Sequence, residues 1–247
     1  MSSSAKPPAP IRWAAEVAPV KEVTLLGSAD LAFWQEKLRP AELTPAVHDG
    51  HARIMLCAVD AKFHGIPFRE LSISVLVSRS AGTASDEGAY LLHAFNSSRL
   101  FACLERTVFE TPYYAAGIDV NVGPPAAFRA AAGNHVPLAA AMGSDVAQRP
   151  VVLSNDITFQ GPLFLPARRA GMADGEKYFV AKLTGATKVL AFDPLYDSAI
   201  IDPDTDIPAL KWLAAAGFTP VAWHLRAAGR HAKSKTYRRA ARDPWAA

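Results

Sequence analysis

From Glu70 to Ser78 the side chains alternate, with Leu71, Ile73, Val75 and Val77 on one face and Glu70, Ser72, Ser74 and Ser78 on the other. Successive side chains of a strand point to opposite faces, so a pattern of period two dictates a strand with one apolar and one polar side. Glu70 therefore stands among small hydroxyl residues. A polar loop at 80–88 separates this strand from a second one at 89–95, which runs directly into residues 96–114.

Residues 96–114 read as a helix aimed at a turn. Ser97 or Ser98 can accept from the first free amides, and Leu100, Phe101, Leu104 and Val108 share one helical face. Pro112 ends the helix and pushes Thr111 into an extended conformation, so Tyr113 and Tyr114 lead into a strand at 115–122. This strand–loop–strand–helix–strand order predicts antiparallel pairing around the helix. It also delivers two tyrosines to a junction held on both sides by regular structure, a good place to fix a functional group.

Elsewhere the pattern predicts strands at 21–26, 53–59, 151–159, 163–165, 178–183, 187–192 and 219–225. Ser28 or Asp30 caps a helix carrying Leu31, Phe33, Trp34 and Leu38, and a later helix starts near Pro208 and stops at Gly217. Residues 123–147 give no clear periodicity. With 247 residues, half of them hydrophobic, and with neither an internal repeat nor a long linker, the chain reads as one α+β, mainly antiparallel β domain over 19–225. A flexible arm at 1–18 and a tail at 226–247 flank it.

That tail is basic: it holds seven Lys or Arg against Asp243 alone, in a chain whose net charge is +3. It carries no nucleic-acid motif and reads as a solvated or oligomer-contacting segment, so no nucleic acid partner is expected. Cys57 and Cys103 lie in apolar runs and read as buried thiols of a reducing compartment. No signal peptide and no apolar run of roughly 18 residues is present, so the expectation is a cytoplasmic protein without a membrane partner. The acids Asp202, Asp204 and Asp206 alternate like a calcium loop but lack its glycine and its closing glutamate, so they read as a turn. The histidines show no ligand spacing, the glycines cradle no phosphate, and no Gly-x-Ser-x-Gly occurs. Neither a metal nor a cofactor is implied.

What remains is Glu70-Leu71-Ser72-Ile73-Ser74-Val75, then Ala89-Tyr90-Leu91, then a helix bearing Arg106, then Pro112 followed by two large residues. This order resembles the acetoacetate decarboxylase family. The strand at 187–192, the Asp/Pro turn, the helix from Pro208 and the terminal strand agree with it, so the resemblance spans about 21–225. It implies a β-barrel or cone with a few packed helices, the Arg99 helix lying on its outside or at its mouth, and a homo-oligomer. The family decarboxylates β-keto acids through a Schiff base on a lysine after the proline, helped by a neighbouring lysine. Those positions here are Tyr113 and Tyr114. A phenol cannot form an iminium; it can donate a hydrogen bond or act as an acid or base. The Arg-to-Pro-Tyr-Tyr-x-Ala pattern is similar to a bacterial branch of the fold that lacks the Schiff-base lysine.

Carried over by the resemblance, Glu70 matches a pocket acid, Arg106 matches the family arginine, another family acid falls at Met55, and an arginine near the first strand falls at Lys21. The implied function is binding of a small oxo-acid or carbonyl compound inside the barrel, with acid/base chemistry of lyase or hydratase type. Tyr113, Tyr114 and Glu70 are the candidate catalytic residues, and Arg106 and Lys21 the candidate substrate-binding residues. The alternatives are a non-catalytic binding or sensor protein, or a decarboxylase with a displaced lysine such as Lys62 or Lys182.

Overall fold

The computed structural model describes residues 11–78, 87–123, 125–133, 135–143, 151, 153–156, 158–168, 171–202 and 204–239. Strand β1 (Trp13–Ala29) leads into helix α1 (Leu31–Leu38), where the Asp30 side chain accepts from the Phe33 amide. Short strands β2 (Thr44–Pro45) and β3 (Val47–His48) precede the long hairpin of β4 (His51–Phe63) and β5 (Ile66–Ser78). Next come β6 (Gly88–Asn96), helix α2 (Arg99–Thr107), β7 (Tyr113–Ala115), β8 (Gly117–Asn121), β9 (Ala127–Ala132) and β10 (His135–Ala141). The chain continues through β11 (Leu153–Asp156), β12 (Phe159–Phe164), β13 (Lys177–Thr184), β14 (Ala186–Ala191) and β15 (Ser198–Ile201). Helix α3 (Pro208–Ala215) and the long strand β16 (Thr219–Arg238) complete it.

Strands β1, β4, β5, β6, β12, β13 and β16 are hydrogen-bonded in that order, and β1 pairs with β16 to close a seven-stranded barrel. A second sheet, β15-β10-β9-β8, covers one side of it. The period-two pattern read at Glu70 explains the layering. Leu71, Ile73 and Val75 of β5, with Ile54, Leu56 and Ala58 of β4, form one core with Ile118, Phe128 and Leu138 of the second sheet. The opposite face of both strands turns into the barrel: Met55, Cys57, Val59 and Ala61 from β4, and Glu70 and Ser72 from β5. β4 is thus buried on both faces, as its unbroken apolar run predicts.

Three expectations need correcting. The pairing is not wholly antiparallel: β7 lies parallel to β6 because α2 carries the chain back as a crossover, and β12, reached through the second sheet and β11, also lies parallel to β6. The basic segment is not a tail from 226 onward, since β16 continues unbroken to Arg238 and pairs with β1 on one edge and β13 on the other. Likewise β1 starts at Trp13, so residues 13–18 are strand rather than arm. The outer parts of those segments, 1–10 and 240–247, lie outside the described residues, as do most of the expected 80–88 loop and residues 144–150 of the stretch without clear periodicity. No described helix is long and apolar enough to cross a membrane.

Helix α2 starts as expected, with Ser98 Oγ accepting from the Phe101 amide at 3.3 Å. Its apolar face does not pack as expected: Leu100, Leu104 and Val108 are exposed, and Ala102 is the buried residue. The helix lies across the barrel mouth rather than flat on a sheet, so only part of its circumference finds a partner. Cys103, on that open side, is exposed, whereas Cys57 is buried.

Candidate active site in the barrel

The barrel encloses a cavity of about 350 Å³. Most of its wall is apolar because inward positions of β1, β4, β12 and β13 carry residues such as Val20, Val59, Leu163 and Ala181. Three acid-centred clusters interrupt that wall.

The first joins β5 to β7. Pro112 ends the α2 connection, β7 pairs parallel to β6, and the strand alternation sends Tyr113 inward. Its hydroxyl donates to Glu70 Oε1. Burial pushes Glu70 up to about 7; the Glu105 charge adds to this, while the Tyr113 hydrogen bond and the charges of Lys233 and His231 oppose it. Burial and the adjacent Glu70 carboxylate push the Tyr113 phenol well above its ordinary value. Near neutrality the tyrosine is thus a fixed donor, while Glu70 is poised between acid and base.

The second cluster joins β16 to α2. Lys233 Nζ donates to Glu105 Oε2, and Thr111 Oγ1 donates to the same oxygen at 2.7 Å. The ammonium also lies 4.4 Å from the ring centre of Phe179, 4.5 Å from that of Phe109 and 5.7 Å from that of Tyr113. Ring faces attract cations, so a carboxylate and three aromatic rings hold this charge inside the cavity.

The third cluster closes β1 against β16. Glu22 accepts from Arg226 and from Thr24 Oγ1 on one carboxylate oxygen, and the other lies 2.7 Å from His231 Nε2. Burial pushes Glu22 upward, but His231, Arg226 and Thr24 together outweigh it and hold the carboxyl at about 2. Glu22 is an anion throughout the physiological range, and His231 faces the cavity beside it. Cys57 also lines the cavity, but burial and the Glu22 charge push its thiol up, so it stays protonated. Among the described residues no group of three or more His, Cys, Asp or Glu side chains is gathered to hold a metal ion.

Of the residues singled out in the sequence, Glu70 and Tyr113 come together in the cavity, and Met55 lines it. Tyr114 does not, because the alternation that turns Tyr113 inward turns its neighbour outward. Its ring stacks on His93 at 4.8 Å, with the Arg106 guanidinium 5.7 Å from its centre. Arg106 and Lys21 are exposed and away from the cavity wall. Glu22, next to Lys21, is buried against Arg226 and His231 instead. Lys62 and Lys182 do not line the cavity either. The residues missed are Lys233, Glu105, His231 and Glu22. The signal for two of them was present: His231, Lys233, Lys235 and Tyr237 alternate with Ala232, Ser234, Thr236 and Arg238, a strand pattern hidden within a basic composition.

No protein-family model matches the chain, and no curated protein matches it in sequence. The match is to solved structures. An acetoacetate decarboxylase from Legionella pneumophila superposes with a TM-score of 0.59 at 13% identity, covering 97% of this chain and 98% of the other. An acetoacetate decarboxylase-like enzyme from Sphingomonas wittichii gives 0.54 at 12% identity, covering 91% and 92%. The enduracididine biosynthesis enzyme MppR, in complex with pyruvate, gives 0.58 at 11% identity, covering 94% and 90%. The closed barrel with its mouth helix is therefore the acetoacetate decarboxylase-like fold, over nearly the whole chain.

Proposed function

We propose that the barrel binds a small oxo-acid or related carbonyl compound and moves a proton at the carbon next to the carbonyl, without covalent attachment, as in lyase or hydratase chemistry. The observation that carries this reading is the Glu70–Tyr113 pair. A carboxylate titrating near 7 in a largely apolar enclosure can take a carbon-bound proton and return it, while the phenol donates a hydrogen bond nearby. A substrate carboxylate needs a cation. Lys233 is well placed for this, because an ammonium has three donors and Glu105 takes one. His231, two residues before Lys233 on β16, adds a second polar contact. These residues take the role that the sequence resemblance gave to Arg106 and Lys21. The likeness in fold to acetoacetate decarboxylase and decarboxylase-like enzymes, and to a biosynthetic enzyme holding pyruvate, supports a keto-acid ligand.

The test is turnover and binding of a panel of oxo-acids and unsaturated acids by the wild type, Glu70→Gln and Tyr113→Phe. Turnover lost in Glu70→Gln with binding retained is the expected result. Saturable binding with no turnover by the wild type makes the chain a carrier or sensor instead.

A second reading is favoured by one observation: the cavity does hold a lysine, on β16 rather than after Pro112. Lys233 Nζ would pass a proton to Glu105, add to a carbonyl carbon and expel water to give an iminium. Borohydride reduction in the presence of a keto acid would then label Lys233 and no other lysine; an unlabelled protein leaves the non-covalent reading standing. Self-association is part of the proposal on the resemblance alone, and light scattering that finds only monomer removes it.

A further inference from the structure

Resting on that reading, we infer that the acid this cavity takes carries a hydrocarbon tail of roughly six to ten carbons, rather than being an oxo-acid of pyruvate size. Volume is the first observation. An apolar cavity of about 150 Å³ accommodates benzene, and this one is about 350 Å³. A carboxylate and a carbonyl fill only the part near Lys233, Glu70 and Tyr113. Left empty, the rest forfeits contacts along its whole lining, and a tail that fills it gains them.

The character of the wall is the second observation. The ionisable groups facing the cavity are paired: Glu70 with Tyr113, Glu105 with Lys233, and His231 with Glu22 behind it. Two neutral polar side chains also line it: Ser72, whose hydroxyl donates to the Cys57 carbonyl, and Asn96, whose Oδ1 accepts from the Ser98 amide. Away from all of these the wall is Val20, Met55, Ala61 and Leu163. That apolar stretch offers no partner to a second carboxylate or a sugar hydroxyl, whose burial without a hydrogen bond is costly. It suits methylenes. The open side continues the same chemistry, since Ala14, Ala15, Phe101 and Leu104 border it, and the exposed Leu100 lies one helical turn before Leu104. The tail of an entering molecule thus meets an apolar rim.

The probes are straight-chain saturated carboxylates from butanoate to decanoate, kept below their micelle concentrations and titrated calorimetrically into the intact chain. They lack the carbonyl and cannot react. Affinity should rise about fourfold per methylene, from the ~0.8 kcal/mol of each buried CH₂, and exceed a hundredfold across the series. Ala61→Leu and Ala61→Phe, which fill the apolar wall opposite Phe68, should each move the plateau of that rise to a shorter acid. Equal affinity for butanoate and decanoate, or no binding at any length, overturns the inference. Adding 2-oxobutanoate and 2-oxodecanoate separates this failure from that of the functional reading. Tight binding of the short oxo-acid with no length dependence overturns the tail and leaves the function. Length-dependent binding with no preference for the oxo group does the reverse.

Discussion

Glu70 and Glu22 are buried carboxylates on strands of one barrel, yet one is pushed up to about 7 and the other held at about 2. The difference lies in the partners. Glu22 has a guanidinium, an imidazole and a hydroxyl within reach, whereas Glu70 has one phenol and the nearby charge of Glu105. If Glu70 is the base, activity should rise with pH along a limb centred near 7. Tyr113→Phe removes a hydrogen bond that holds Glu70 down, so it should move the limb to higher pH. Glu105→Gln removes a charge that raises Glu70, so it should move the limb lower; opposite shifts in a pH–rate profile are the check. Stability should follow the same linkage. Glu70 binds its proton more tightly in the folded chain, so its contribution is full below about 4.5 and is lost as pH rises through about 7, by roughly 3 kcal/mol. Glu22 works the other way, its contribution being present above about 4.5 and lost as pH falls toward about 2. Breaking its pair from one side by Arg226→Met should cost about 3 kcal/mol in denaturant unfolding, while Glu22→Leu with Arg226→Met should cost less, because no buried charge is left alone.

Among the elements, β16 carries the most. It closes the barrel against β1 and β13, also pairs with β14, and supplies Arg226, His231 and Lys233. A chain ending at Leu225 should therefore fail to fold, with no cooperative thermal transition by circular dichroism. Ending it at Arg239 instead should leave the melting temperature within a few degrees of the full chain. The contrast shows what was legible. The strand–loop–strand–helix order around Glu70, the helix start at Ser98 and the delivery of Tyr113 to the junction after Pro112 follow from local spacing, and local spacing sufficed for them. Closure did not follow, because it depends on pairings such as Glu22 with Arg226, separated by 204 positions. Charge runs usually mark solvated segments, and here the basic residues alternate along a strand. Arg106 and Tyr114 were misplaced for a related reason: a helix across a barrel mouth and a strand only three residues long turn neighbouring side chains to opposite sides.

For the molecule as a whole, the second sheet and helices give the barrel an apolar outer core, and the barrel interior is left to hold a cavity with few polar groups. A rigid wall of paired strands keeps Glu70, Tyr113 and Lys233 in fixed relation, which proton transfer at carbon requires. The most direct test is to incubate the chain with a 2-oxo acid in D₂O near pH 7 and follow deuterium entry at the carbon next to the carbonyl by proton NMR. The account predicts exchange well above the uncatalysed rate in the wild type, and loss of that excess in Glu70→Gln although the acid still binds. Saturable binding without any accelerated exchange in the wild type would contradict it.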